Sequence, residues 1–175
     1  MRIAVLGYSG SGKSTLAKYL SQKFAIPVLY LDTVEFEAGW KTRNREEAVA
    51  IVAEFMKKSD WVIDGNYSGF LQEERLQQAD HIIFLSFPRV SCLFRAYKRF
   101  RNFKDITRES MAQGCKEKLD FEFICWILFE GRTKQRRQHY KNIVSRYSSK
   151  TVVIKNQHQL DRFMLTLFRG DDRAQ

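Results

Sequence analysis

The segment Gly7-Tyr8-Ser9-Gly10-Ser11-Gly12-Lys13-Ser14 constrains this chain more than any other. It follows an apolar run, residues 2–6, that reads as a buried strand. It precedes Leu16, Ala17, Leu20 and Phe24, which have helical spacing. Gly7, Gly10 and Gly12 permit backbone angles that a side chain forbids. Successive N–H groups can then point inward as a nest for phosphate oxygens, and the start of the helix aims its unpaired amides at the same place. Lys13 brings a positive charge to the outer phosphates, and Ser14 offers a hydroxyl to Mg²⁺. Residues 7–15, from Gly7 through Tyr8, Ser9 and Ser11 to Thr15, are therefore expected to hold a nucleoside triphosphate together with Mg²⁺.

Beyond this loop, apolar runs and helical periods alternate. Strands are expected at 27–31, 61–63, 81–87 and 151–154. Helices are expected at 45–57, 71–78, 90–100 and 159–168, with one long helix, or two broken near Gly131, over 121–147. Residues 102–118 are polar and show no period, and 170–175 read as a frayed tail. The alternation predicts a three-layer α/β/α fold on a five-stranded parallel sheet. A length of 175 residues suits one such domain.

Composition narrows the function. No run of about 18 apolar residues is present, and the first strand is too short for a signal peptide. Cys92, Cys115 and Cys125 are odd in number and lack metal-binding spacing, so a reduced, cytoplasmic protein without zinc or disulfides is expected. The net charge of +10 attracts polyanions, and both phosphate-bearing small molecules and nucleic acid fit. An Asn-Lys-x-Asp guanine motif and a Leu-Ser-Gly-Gly-Gln signature are both absent, and the chain is too short for paired helicase domains. A compact phosphate-loop protein with basic segments late in the chain points to the small-molecule kinases, and ATP is the nucleotide that a small-molecule kinase would take.

The chain resembles the adenylate kinase and shikimate kinase group, and more closely the bacterial family known as topology modulation protein, related to FlaR. The resemblance rests on residues 7–15, Leu31-Asp32, Gly39-Trp40, Asp64-Gly65-Asn66-Tyr67 and the strand 82–85 with Phe87-Pro88-Arg89. It continues through Arg95-x-x-x-Arg99 and Gly114-Cys115-x-Glu117-Lys118-x-Asp120. It implies an adenylate kinase-like enzyme that moves the γ-phosphate of Mg·ATP to a nucleotide or other hydroxyl compound. The family name implies an effect on DNA supercoiling. That leaves, as the alternative, a nucleotide-regulated DNA-associated protein, with any DNA contact driven by charge and shape.

The resemblance also implies roles for residues. Asp32, ending the second strand, would face acceptor and metal, and could orient or deprotonate an acceptor hydroxyl. Asp64, ending the third strand, would hold Mg²⁺ with Ser14. Arg95 and Arg99, four apart on a helix, would contact the base and the phosphates. Arg101, Arg108, Lys116 and Lys118 would belong to a small lid over about 101–120. Among Arg132, Arg136 and Arg137, one, with Arg136 as the candidate, would reach the transferring phosphate. The acceptor region, about 33–67, would use Trp40, Asn66 and Tyr67, with Arg43 and Arg45 as stand-ins for the arginines of an AMP pocket. A monomer or homodimer is expected, with no membrane partner.

Overall fold

The computed structural model describes residues 1–103 and 108–169, the last three by backbone alone. Five strands form one parallel sheet: β1 (Arg2–Gly7), β2 (Val28–Tyr30), β5 (Trp61–Asp64), β6 (His81–Leu85) and β7 (Thr151–Ile154). Their order across the sheet is β2-β5-β1-β6-β7, with β1 at the centre. A short antiparallel pair, β3 (Phe36–Glu37) and β4 (Lys41–Thr42), stands apart. The helices are α1 (Lys13–Phe24), α2 (Leu31–Glu35), α3 (Arg45–Met56), α4 (Gln72–Gln78), α5 (Arg89–Phe103), α6 (Phe121–Leu128), α7 (Lys134–Arg146) and α8 (Gln157–Arg169).

Burial shows why the architecture is layered. Successive strand residues point to opposite faces. In β1 from Ile3 onward, in all of β5 and in β6 from Ile82 onward, every residue is buried. Both faces of the central strands are therefore covered, as a parallel sheet flanked by helices requires. α1 packs on β1, β2 and β5, and α4 packs on β1. The expected three-layer α/β/α fold with five parallel strands is present.

Several expectations need correction. The second strand stops at Tyr30, because Leu31 and Asp32 open α2. Asp32 thus sits in the first turn of a helix, where a carboxylate complements the helix dipole, rather than at a strand end. The fourth sheet strand ends at Leu85, two residues before the expected limit, and the Ser86 N–H still bonds the Ile154 carbonyl. Over 121–147 the broken alternative holds, with two helices. They are separated by a 3₁₀ turn, Glu130–Arg132, and the Thr133 hydroxyl caps α7. A β-carbon at Gly131 would lie 2.8 Å from the Trp126 carbonyl oxygen, which fixes the break there. Residues 108–120 form turns and extended chain, without a helix or strand. Residues 104–107 of the expected lid and the tail 170–175 lie outside the described residues.

One buried cation shapes the loop after β5. Arg75 on α4 is 0% exposed. Its Nε donates to Phe70 O at 2.8 Å, and its two terminal nitrogens donate to Tyr67 O at 2.8 Å and Gly65 O at 3.4 Å. Gln72 adds a bond from Nε2 to Asn66 O at 2.6 Å. Burial lowers the guanidinium to about 10, with Glu74 and Asp64 opposing, so it stays charged at neutral pH. Loop 65–70 is wrapped around this side chain by its carbonyls. Arg75→Met leaves those carbonyls unpaired, and we expect it to destabilise the protein by about 2–4 kcal/mol in urea denaturation. Arg75→Lys, with one point donor in place of a fork, should recover only part of that loss.

Candidate active site

The sheet delivers its C-terminal ends to one cleft of about 2180 Å³. That is larger than a pocket for a single small ligand, typically about 300–1,000 Å³. In an open parallel sheet this edge is where ligands bind.

The loop after β1 is built to leave its centre open. Gly7, Gly10 and Gly12 all take positive φ, at 149°, 77° and 96°. A β-carbon on Gly7 would meet Leu85 O at 2.6 Å, and one on Gly10 would meet Cys92 O at 2.4 Å. Glycine is needed at both for contact as well as conformation. Gly12 precedes α1 and offers no side-chain cap, so the first-turn amides of Lys13, Ser14 and Thr15 are left for a ligand. The Ser9, Gly10, Gly12, Lys13, Ser14 and Thr15 positions all line the cleft. Tyr8 and Ser11 turn inward. Tyr8 packs edge-on against Phe84 and Tyr140, and Ser11 is fully buried. They contribute backbone, not side chains. The Lys13 ammonium reaches Tyr8 O at 3.3 Å across the loop.

Two carboxylates face this loop. Asp64 is 5% exposed, and its Oδ1 has no hydrogen-bond partner among the described residues. Burial pushes its carboxyl up to about 6, with Asp32 adding to the rise, while Lys13, the Ser14 hydroxyl and Arg108 oppose it. Asp32 accepts a 2.8 Å hydrogen bond from the Tyr67 hydroxyl. Burial, the Asp32 charge and that bond push the Tyr67 hydroxyl far above its usual range, so it remains a donor.

Arginines supply the opposing charge. Arg99 donates to Glu117 Oε1 through Nε at 2.6 Å and a terminal nitrogen at 2.5 Å. Arg108 donates from Nε to Glu117 Oε2 at 2.6 Å. Arg95 lies with its guanidinium 4.5 Å from the centre of the Phe87 ring and beside Gly12, and it bonds Gln157 at the start of α8. Arg136 is exposed, lines the cleft and lies 4.5 Å from the centre of the Trp126 ring. Trp126 in turn donates from Nε1 to the Ser9 hydroxyl at 3.0 Å. Arg132 is buried under the loop instead. It lies 3.7 Å from the centre of the Tyr8 ring and bonds Phe87 O at 2.7 Å and Cys92 Sγ at 3.2 Å. Arg137 does not line the cleft.

On the far side of the cleft, Trp40 packs edge-on against Phe36, and Tyr67 stacks on Phe70 at 5.1 Å. Asn66 has a role beyond the expected one. Its Oδ1 accepts from Gly7 N at 3.1 Å, and its Nδ2 donates to Gly7 O at 2.7 Å. Both ends of the amide are bonded to the Gly7 backbone, so Asn66 braces that loop while also lining the cleft. Arg43 is tied to Val34 O, Glu37 and Glu47, while Arg45 lies over Gly69 at the cleft wall. Lys118 lies 5.0 Å from the centre of the Trp40 ring.

Sequence reasoning missed several of these contacts. The Cys115 thiol donates to Glu37 O and accepts from Trp40 N, both at 3.3 Å, and so joins segment 108–120 to the β3–β4 hairpin. In the sequence Glu117 stands only as part of a motif, and its partners lie 18 and 9 residues away. No local pattern reveals such pairs. For Arg132 against Arg136, only the 3₁₀ turn decides which side chain points inward.

The chain matches no family model and no curated protein. Among solved structures it is similar to shikimate kinase from Bacteroides thetaiotaomicron, at 18% identity and a TM-score of 0.54, over 98% of each chain. It is also similar to deoxyadenosine kinase from M. mycoides, at 14% identity and a TM-score of 0.51, over 97% of this chain and all of the other. At such identities the likeness is one of fold. The chain shares with these two proteins an α/β fold built on a parallel sheet flanked by helices.

Proposed function

We propose that the protein is a kinase that transfers the γ-phosphate of Mg·ATP to a hydroxyl of a small molecule. One observation carries the reading above the others. A glycine loop with an uncapped helix start, a lysine, two carboxylates and two paired arginines all face one cleft large enough for two ligands. Phosphoryl transfer asks mainly for positioning and neutralised charge, and these groups supply both.

The residues suit the implied groups. The amides of the loop and first helical turn, with Lys13, fit a polyphosphate. The Ser14 hydroxyl and the Asp64 carboxyl, with its unpartnered oxygen, fit a hard cation that keeps part of its water shell. When bound, Mg²⁺ would offset charge on the phosphate oxygens. Lys13, Arg99 and Arg108 oppose the charge that spreads over the phosphoryl oxygens. Arg95, a flat cation at the loop mouth, lies on the donor-nucleotide side. Asp32, oriented by Tyr67, is the group placed to accept a proton from the acceptor hydroxyl. The aromatic wall of Phe36, Trp40, Tyr67 and Phe70 borders the acceptor space, and residues 108–120 close over it as the lid. Arg136 extends the cationic side over Trp126. The DNA-directed alternative keeps only the +10 charge behind it, and many of those cations line this cleft.

Lys13→Ala is expected to weaken Mg·ATP binding about 10- to 100-fold, the size of one or two charge-assisted hydrogen bonds. Titration with a fluorescent ATP analogue checks this, and unchanged affinity would refute the kinase reading. A screen of nucleosides, nucleotides and small hydroxy acids for Mg·ATP-dependent phosphorylation identifies the acceptor.

Asp64 gives a second prediction, with opposite effects on stability and binding. Its carboxyl titrates at about 6 when folded, against 3.8 for the free group. Between those values the folded state holds more protons, so stability falls as pH rises through the window. In EDTA near neutral pH, Asp64→Asn is expected to stabilise the protein by at most about 3 kcal/mol, and at about pH 3 to leave it unchanged. The same variant should lose the Mg²⁺-dependent part of ATP affinity. Urea denaturation at the two pH values, with ATP titration with and without Mg²⁺, tests both; a loss of stability at neutral pH contradicts the first.

A further inference from the structure

Among the described residues, Glu117 is the least exposed acidic side chain in an ion pair, at 4%. Each of its oxygens is held by a different arginine, Oε1 by Arg99 and Oε2 by Arg108. A buried arrangement of this kind is a poor source of stability, because taking three charges out of water offsets their attraction. Its placement suggests another role. Arg108 helps hold the Asp64 carboxyl down, and Asp32 helps hold Arg99 charged, so the arginines face the two carboxylates of the cleft. Unaided they would repel: burial, and after it the Arg108 charge, lowers the Arg99 guanidinium. Glu117 lets two like charges stand side by side.

The donor geometry leaves room for a phosphate. Arg99 uses Nε and one terminal nitrogen on Glu117, and its other terminal nitrogen has no partner among the described residues. Arg108 uses Nε on Glu117 and one terminal nitrogen on Ser110, and its remaining nitrogen likewise has none. A phosphoryl group can be gripped by both without displacing Glu117. The carboxylate is itself held by its backbone. Two residues earlier, Cys115 ties the segment to the β3–β4 hairpin, and one residue later, Lys118 lies over Trp40.

We infer that Glu117 is a positioning residue for phosphoryl transfer, holding Arg108 beside Arg99 so that both converge on the phosphoryl group in flight. The inference rests on the kinase reading above. Its contribution is to the transition state, where charge spreads over the phosphoryl oxygens, more than to binding of ATP.

The test needs no knowledge of the acceptor. ATP hydrolysis, with water as the attacking group and ADP and phosphate as products, is followed for wild type, Glu117→Gln, Arg108→Met and the double variant. Glu117→Gln is expected to lower kcat about 10- to 100-fold, with KM for ATP changed less than about 3-fold. Added to Arg108→Met, it should lower kcat by no more than about 2-fold, because it acts through that arginine. Glu117→Asp, which keeps the charge, should restore part of kcat. A Glu117→Gln kcat within about 2-fold of wild type, a change confined to KM, or full additivity in the double variant overturns the inference. Thermal melting accompanies each variant. Should Glu117→Gln and Glu117→Asp both be unfolded at the assay temperature, the role is structural and the inference is overturned. Failure of wild type to bind a fluorescent ATP analogue with Mg²⁺ overturns the kinase reading and this inference together. Binding by wild type with an indifferent Glu117→Gln overturns this inference alone.

Discussion

The end of β1 is the constraint on which the cleft depends. Gly7 pairs across to Leu85 on β6, and there is no space for a β-carbon between them. On the other side, the Asn66 amide closes two hydrogen bonds on the Gly7 backbone. The chain therefore leaves the sheet in one direction and curls through Gly10 against the Cys92 carbonyl. Lys13 and Ser14 then arrive beside Asp64. A parallel sheet brings strand ends together, but these backbone contacts determine that the loop is a concavity and not a plain turn.

The support for that concavity is polar and buried. Arg75 collects the carbonyls of loop 65–70, which places Asn66 on Gly7 and Tyr67 on Asp32. Arg132 sits beneath Tyr8 and bonds the Phe87 carbonyl. Neither arginine is aimed at a ligand. Each replaces water for backbone groups that the loops would otherwise leave unpaired. Of the chain's many cations, some therefore build the site while others, such as Lys13 and Arg99, face into it.

The split between what was legible and what was not follows the range of the interactions. Strand, glycine loop and helix are consecutive, so residues 2–24 could be read from spacing alone. The strands expected at 61–63, 81–87 and 151–154 are apolar runs, and their existence was legible though the first two end at Asp64 and Leu85. The α2 helix and the β3–β4 hairpin were not. Five helical residues and two-residue strands carry no period, and Leu31 prolongs the apolar run of β2. Asp32 was found as a candidate, but its place on a helix was not. Asn66 was read only as an acceptor ligand because an amide near a cleft has no sequence mark that reveals a backbone clamp. Glu117 finds its meaning only when residues 99, 108 and 117 meet in space.

That meeting links the two halves of the cleft. Segment 108–120 touches the phosphate side through Arg108 and Glu117, and touches the hairpin side through Cys115, Lys118 and Trp40. A displacement of the hairpin would pull on Cys115, two residues from the carboxylate that spaces the arginines. The hairpin residues Phe36 and Trp40 are thus joined, through one thiol and one short stretch of backbone, to the charges opposite Lys13. Under the kinase reading proposed above, this connection would let a seated acceptor steady the carboxylate that spaces the arginines.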